Sequence, residues 1–166
     1  MAQLNWGMIG GGEGSQIGPA HRLGALADGH FKLAAGALDH RPDVGRDYAM
    51  RLGVAADRAY GDWKEMVAGE RMRADRVDLV TVATPNSTHY AIAKGFLEAG
   101  IHVLCEKPMT VTLAEAEDIA ATARRSGAVC AVNYGYTGYP LVRHMRAMVA
   151  RGDLGKVRLV KAEFSH

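Results

Sequence analysis

An α/β fold on a doubly wound parallel sheet is predicted by three observations. An apolar run near the start ends in a burst of glycine, Met8-Ile9-Gly10-Gly11-Gly12-Glu13-Gly14-Ser15. Short apolar and β-branched runs then alternate with helical patterns, the repeating unit of a parallel sheet. The residues just after these runs are polar or glycine-rich, and ligands of open α/β sheets bind at that edge.

Leu4 to Ile9 reads as a central first strand, and Gly10 ends it. Ile17 to Asp28 sets Ile17, Ala20, Leu23, Leu26 and Ala27 on one face of a helix that Gly29 stops. Phe31 to Leu38 is a second strand, broken by Asp39-His40-Arg41, and Pro42 opens a helix to Leu52 that Gly53 closes. Asp62 caps a short helix with Glu65 three residues on, ending near Gly69. Val77 to Ala83 is a strand stopped by Thr84-Pro85-Asn86, and Ser87 is an N-cap for a helix through Ala99. Ile101 to Cys105 is the next strand, stopped by Glu106-Lys107-Pro108. Thr112 and Glu115 form a capping box for a helix closing at Gly127, and Ala128 to Val132 is one more strand. The sum is five or six parallel strands in a domain spanning 1–133.

From residue 134 the character changes. Tyr134 to Pro140 is a loop rich in tyrosine and glycine, Leu141 to Ala150 reads as a helix, and Val157 to Phe164 alternates like a half-exposed antiparallel strand. Residues 134–166 are therefore read as the connecting loop, helix and first strand of a truncated second α/β domain.

Twenty Lys and Arg against 18 Asp and Glu leave a net charge of +2, with the basic residues scattered. That argues against a nucleic-acid partner. The two cysteines lie in apolar runs without metal-ligand spacing, which reads as reduced core thiols. No metal site is expected. No run approaches transmembrane length and no leader pattern is visible, so a soluble cytoplasmic protein without a membrane partner is expected.

Gly10-x-Gly12-x-x-Ser15 fits the dinucleotide fingerprint with a small residue in the third place. The chain must turn sharply out of a strand and then approach a pyrophosphate more closely than a side chain allows. Gly10, Gly12, Glu13, Gly14 and Ser15 are the expected phosphate turn. Asp39, 27 positions after Gly12, can accept from the ribose hydroxyls of NAD, while Arg41 can instead pair with the 2′-phosphate of NADP. Repulsion between Asp39 and that phosphate inclines the choice to NAD. Thr84, Pro85 and Asn86, with His89, form a rigid polar turn beside the cofactor, and Glu106 belongs to the same strand-end set. Pro108 keeps Lys107 out of helical geometry and on a stiff loop, where its ammonium can polarise a carbonyl or relay a proton.

Together these residues resemble the glucose-fructose oxidoreductase, inositol dehydrogenase and rhizopine-catabolism (Gfo/Idh/MocA) family. The resemblance runs through the glycine turn with His21 downstream, Thr84 to His89, Glu106 to Pro108, and the Gly152 to Val157 turn. It implies a Rossmann domain binding NAD or NADP, with Lys107 in the catalytic site of a dehydrogenase acting on a sugar, cyclitol or related polyol. It also implies a larger second domain that supports a homo-oligomer and completes the site, so this chain alone is expected to bind cofactor without turnover. Where many members carry an Asn-Arg pair after the last Rossmann strand, this chain has Gly135-Tyr136. The alternative reading is a non-catalytic dinucleotide sensor, because the same fold can report a bound cofactor to a partner.

Overall fold

A computed structural model of the chain describes residues 3–163 and residue 165. The chain divides into two compact units, Met1–Asn133 and Tyr134–His166. The first holds five parallel strands: β1 (Leu4–Gly10), β2 (Phe31–Ala37), β3 (Leu79–Ala83), β4 (His102–Glu106) and β5 (Cys130–Asn133). Their order is β2-β1-β3-β4-β5, so the winding reverses between β1 and β3 and the loops leaving those strands diverge. Between the strands run α1 (Gly18–Leu26), α2 (Pro42–Arg51), α3 (Trp63–Glu70), α4 (His89–Glu98) and α5 (Leu113–Ser126).

Beyond β2 a single parallel bridge joins Gly36 to Ala59, and the Tyr60 N–H donates to the Gly36 carbonyl at 2.8 Å. This is the place of a sixth strand reduced to one pairing, with a 3₁₀ turn (Ala56–Arg58) directly before it and Gly61 just beyond.

Helices on both faces explain why the strands are continuous apolar runs. Ile9, Val80, Val82, Val103 and Cys105 pack with Ile92, Phe96 and Leu97 of α4 and Ile119 of α5. Trp6 and Met8 pack with Leu38, Ala49 and Val54. Each large apolar side chain buried in this way contributes about 1.5–3 kcal/mol. The indole N–H of Trp6 donates to the Thr81 hydroxyl at 2.9 Å, so even the buried polar atom is satisfied. Burial pushes the Cys105 thiol up to about 12, as befits a core residue.

Three expectations are corrected. The apolar face read for α1 does not point at the core: Leu23 is 75% exposed, and the buried residues are Gly18 and Arg22. The inward face of α1 lies over the glycine turn, where a small residue and a hydrogen-bond donor are needed. Ser87 is not an N-cap; it sits inside a 3₁₀ turn (Asn86–Thr88), and α4 begins at His89 without a side-chain cap. Residues 157–163 form no strand, and Phe164 lies outside the described residues. Alternation alone does not make a strand, which exists only as hydrogen bonds to a neighbour.

The predicted caps of α3 and α5 form. The Asp62 carboxylate accepts from the Lys64 and Glu65 N–H groups, and the Thr112 hydroxyl accepts from Glu115 N–H while the Glu115 carboxylate accepts from Thr112 N–H. In the second unit, a 3₁₀ turn (Gly135–Gly138) leads into α6 (Pro140–Arg151), closed by Gly152 in the left-handed region. The rings of Tyr136 and Tyr139 meet edge to face at 5.5 Å. Among the described residues no helix is long and apolar enough to cross a membrane.

Candidate dinucleotide-binding site

The glycine turn follows β1 where the winding reverses. Gly10 has φ +73°, a conformation closed to side chains, and a Cβ on it would lie 2.5 Å from the Ala83 carbonyl oxygen of β3. A Cβ on Gly12 would collide with the Leu38 carbonyl. The turn is thus wedged between the ends of β2 and β3. Ser15 N–H donates to the Gly12 carbonyl, and Gly18 N–H donates to the Ser15 hydroxyl at 3.1 Å, so Ser15 serves as the entry to α1.

The turn is also gripped from below by residues that the sequence reading did not single out. Buried Arg22 donates to the Gly11 carbonyl at 2.7 Å and to the Tyr48 hydroxyl at 3.1 Å. Arg51 stands 5.0 Å from the Tyr48 ring centre and donates to both Glu13 carboxylate oxygens, at 3.0 and 3.2 Å. Hydrogen bonding from Arg51 holds the Glu13 carboxyl below its usual range. Glu13 is therefore occupied by α2.

At the end of β2, the Asp39 carboxylate accepts from the Arg41 backbone N–H, Nε and Nη2 at 2.9, 3.0 and 3.1 Å. These hydrogen bonds hold its carboxyl down to about 2. The two residues named as rival readers of the ribose are thus joined to each other. After β3, the Thr88 hydroxyl donates within the turn, with the Thr84 hydroxyl and the Pro85 carbonyl at 2.8 and 2.7 Å.

His89 opens α4 with no exposed surface, and both ring nitrogens are engaged: Nδ1 lies 2.8 Å from the Pro108 carbonyl and Nε2 2.8 Å from the Thr84 carbonyl. A neutral ring donates to only one of these oxygens, a protonated ring to both. His89 thus joins the loops after β3 and β4.

Glu106 ends β4 almost fully buried. Its Oε1 lies 2.8 Å from His21 Nε2 and accepts from Asn133 Nδ2 at 2.6 Å, and its Oε2 accepts from the Lys107 N–H at 3.2 Å. Burial raises its pKa, but the hydrogen bonds from Asn133 and His21 outweigh burial and the carboxyl ends below its usual range. Lys107 is exposed, and the Lys107–Pro108 peptide is cis.

Two adjoining hollows collect these loops. One of about 560 Å³ is lined by Gly10 to Ser15, Leu38 to His40 and Ala83 to Pro85. The other, about 340 Å³, is lined by Ala83, Thr84, Asn86, His89, Glu106 and Lys107 with Gln16 and Ile17. They share Ala83 and Thr84, so the strand ends form one continuous edge. Arg41 is absent from both linings, being folded onto Asp39. Among the described residues no cluster of His, Cys, Asp and Glu is gathered to hold a metal ion.

The model of an oxidoreductase family with an NAD-binding Rossmann fold, Gfo/Idh/MocA, matches residues 4–134. An uncharacterised oxidoreductase of Bacillus subtilis, YfiI, is 45% identical over 98% of this chain and 42% of its own length. A levoglucosan dehydrogenase of Pseudarthrobacter phenanthrenivorans is 30% identical over 95% of the chain and 40% of its own length. Among solved structures, an inositol dehydrogenase homologue of Azotobacter vinelandii, complexed with NADH and myo-inositol, is 47% identical with a TM-score of 0.91, covering 94% of this chain and 41% of that one. The chain thus spans about 40% of the length of the relatives it matches. With that match lying over the glycine turn, the polar turn after β3 and the Glu-Lys-Pro loop, the chain belongs to the Gfo/Idh/MocA family of oxidoreductases, whose shared element is an NAD-binding Rossmann fold.

Proposed function

We propose that this chain binds NAD along the two adjoining hollows, as part of an oxidoreductase that moves a hydride between nicotinamide and a carbinol carbon of a sugar, cyclitol or related polyol. The observation that carries the reading is the convergence of four strand-end loops on one edge, with Lys107 at its far end. Gly10 and Gly12 have no room for a Cβ against the ends of β3 and β2, so the turn lies low between the strands, and it borders the larger hollow where a pyrophosphate could approach its backbone. The relative named as a levoglucosan dehydrogenase and the inositol dehydrogenase homologue solved with myo-inositol support the polyol class.

When bound, the nicotinamide supplies the carbon that takes or gives the hydride. The chain's own residues do the rest. The Gly10 to Ser15 turn and the start of α1 offer N–H groups and a partial positive charge to the pyrophosphate. Asp39 accepts from the ribose hydroxyls. Thr84, Pro85 and Asn86 form the wall between the hollows, and Lys107 holds or relays the hydroxyl proton at its Nζ.

The cofactor preference is NAD. The Asp39 carboxylate opposes a 2′-phosphate, and Arg41, which could offset that repulsion, is tied to Asp39 by its own side chain. Calorimetric titration of the chain with NADH and NADPH tests both points. Tighter NADH binding that evens out in Asp39→Asn is expected. No binding of either at millimolar concentration by a folded sample would overturn the reading, and a preference for NADPH lost in Arg41→Ala would reverse the cofactor assignment.

The chain by itself is proposed to bind without turning over. Hydride transfer needs the carbinol carbon held about 3–3.5 Å from the nicotinamide, and much of the barrier reduction lies in that positioning. Among its described residues the second unit holds one α-helix and no strand pairing, and the relatives are more than twice as long. Turnover of a panel of sugars and inositols by this chain, abolished by Lys107→Ala, would refute it.

A further inference from the structure

Lys107 makes no side-chain hydrogen bond among the described residues, yet both residues flanking it are fastened. On one side, the Glu106 carboxylate is held at 2.8 Å by His21 of α1 and at 2.6 Å by Asn133 of β5. On the other, Nδ1 of His89 of α4 lies 2.8 Å from the Pro108 carbonyl and Nε2 lies 2.8 Å from the Thr84 carbonyl, so a ring carrying its proton on Nδ1 holds Pro108 and a protonated ring holds both. The side chain of His21 is 9% exposed and His89 is fully buried. Each histidine stands at the start of a helix that leaves a cofactor loop: α1 follows the glycine turn, and α4 follows the Thr84 to Asn86 turn.

Polar groups are costly to bury, and apolar side chains pack helix against sheet at least as well. Two imidazoles reaching the same loop from different helices, one on each side of a single lysine, therefore point beyond packing. Other charged groups near the loop do not compete for either ring: Glu106 is already bonded to His21, Asn133 and the Lys107 N–H, and Lys94 of α4 pairs with Asp118 at 2.6 Å.

We propose that His21 and His89 are positioning residues for Lys107: they clamp the residues before and after it and so present its ammonium at the nicotinamide end of the site. The proposal rests on the reading of that site as a dinucleotide cradle. It fixes the backbone from which an exposed lysine, with no side-chain hydrogen bond among the described residues, projects. It also couples the loop to the two turns that would hold the cofactor, since each clamp has its other end beside one of them.

The test separates the two halves of the cofactor. ADP-ribose reaches the glycine turn and Asp39 but has no nicotinamide, whereas NADH spans both hollows. His89→Ala and His21→Ala are expected to weaken NADH binding about tenfold and ADP-ribose less than about twofold, because the effect passes through one loop. In a Lys107→Ala background the histidine substitutions should add nothing to NADH binding, and His89→Gln, which still donates one hydrogen bond, should restore part of the loss. Equal weakening of both ligands, no weakening of NADH, or a full histidine effect without Lys107 would each overturn the proposal. Failure of the unaltered folded chain to bind ADP-ribose would overturn the cradle itself. Should the alanine variants not fold, nitrogen-15 ring signals in the unaltered chain give the same split: both rings shift with NADH only if the proposal holds, and shifts with ADP-ribose alone refute it.

Discussion

Gly12 is constrained by the fold itself, apart from the cofactor contact proposed for it. A β-carbon there would collide with the Leu38 carbonyl at the end of β2, whether or not a pyrophosphate is bound. Gly12→Val is therefore expected to destabilise the free chain by about 1–3 kcal/mol, the usual cost of forcing atoms into a filled site. Thermal melting without cofactor should show a drop of roughly 2–10 °C. An unchanged melting temperature with lost binding would mean that the turn is loose until it is occupied.

Asp39 offers a second check at the same scale. Arg41 holds its carboxyl near 2 in the folded chain, against an ordinary 3.8. A group depressed in the folded state contributes stability that is present above its unfolded value and disappears as pH falls through its folded value. The contribution of Asp39 is thus whole above about pH 4 and is lost between about 4 and 2. Acid unfolding curves of the parent and Asp39→Asn should converge in that window, and parallel curves would show that the Arg41 pair is not formed in solution.

Among the elements, α3 and the 3₁₀ turn before it are held by a buried charge pair. Glu70, fully buried, accepts from Arg58 Nε and Nη2, from the Tyr60 hydroxyl at 3.0 Å and from the Val77 N–H at 2.9 Å. Burial, with Glu70 beside it, pushes the Tyr60 hydroxyl up to about 12. Removing one partner leaves an uncompensated charge, so Glu70→Ala should cost about 3–5 kcal/mol. Replacing both, as in Arg58→Met with Glu70→Leu, should cost far less. Denaturant unfolding of the single and double variants measures the difference, and a double variant as weak as the single would show that the hydrogen bonds of the pair, and not the volume it fills, hold α3 to the turn.

The same scale shows what the sequence made legible. The five strand runs of the first unit, the glycine stops and the Thr112 to Glu115 capping box rest on neighbours within a few residues, and they form within about two residues of where they were read. The four site loops were legible because strand ends share one edge by topology. Arg22 and Asn133 were not, and His21 was marked only by the family resemblance, without its partner. Their partners lie 11, 27 and 85 residues away, so no local pattern marks them. The face of α1 was misread for a related reason: apolar spacing says where a helix could be greasy, but its inward side lies over a turn that needs a donor. The alternation at 157–163 shows the converse, a local pattern for which no partner strand is in place.

At the scale of the whole first unit, the two ends of the sheet are built to different rules. At the carboxyl edge the loops are polar or glycine-rich and are joined to one another by His21, His89 and Asn133. At the opposite edge α4 and α5 return to β4 and β5 through tight turns, with Gly100 at φ +70° and Gly127 at φ +71°. Nothing crowds a β-carbon at Gly127, so its only requirement is the backbone angle. That asymmetry divides the molecule into a part that can be rewritten and a part that cannot. On the proposed reading, variation in Asp39 to Arg41 or in Thr84 to Asn86 should alter nucleotide affinity while leaving the scaffold in place, whereas Gly127→Val should strain the turn that leads into β5. In a library scored separately for soluble folding and for nucleotide affinity, substitutions should sort by edge of the sheet rather than by position in the chain. A lineage built on this scaffold is then free to vary at one end because the other end stands still.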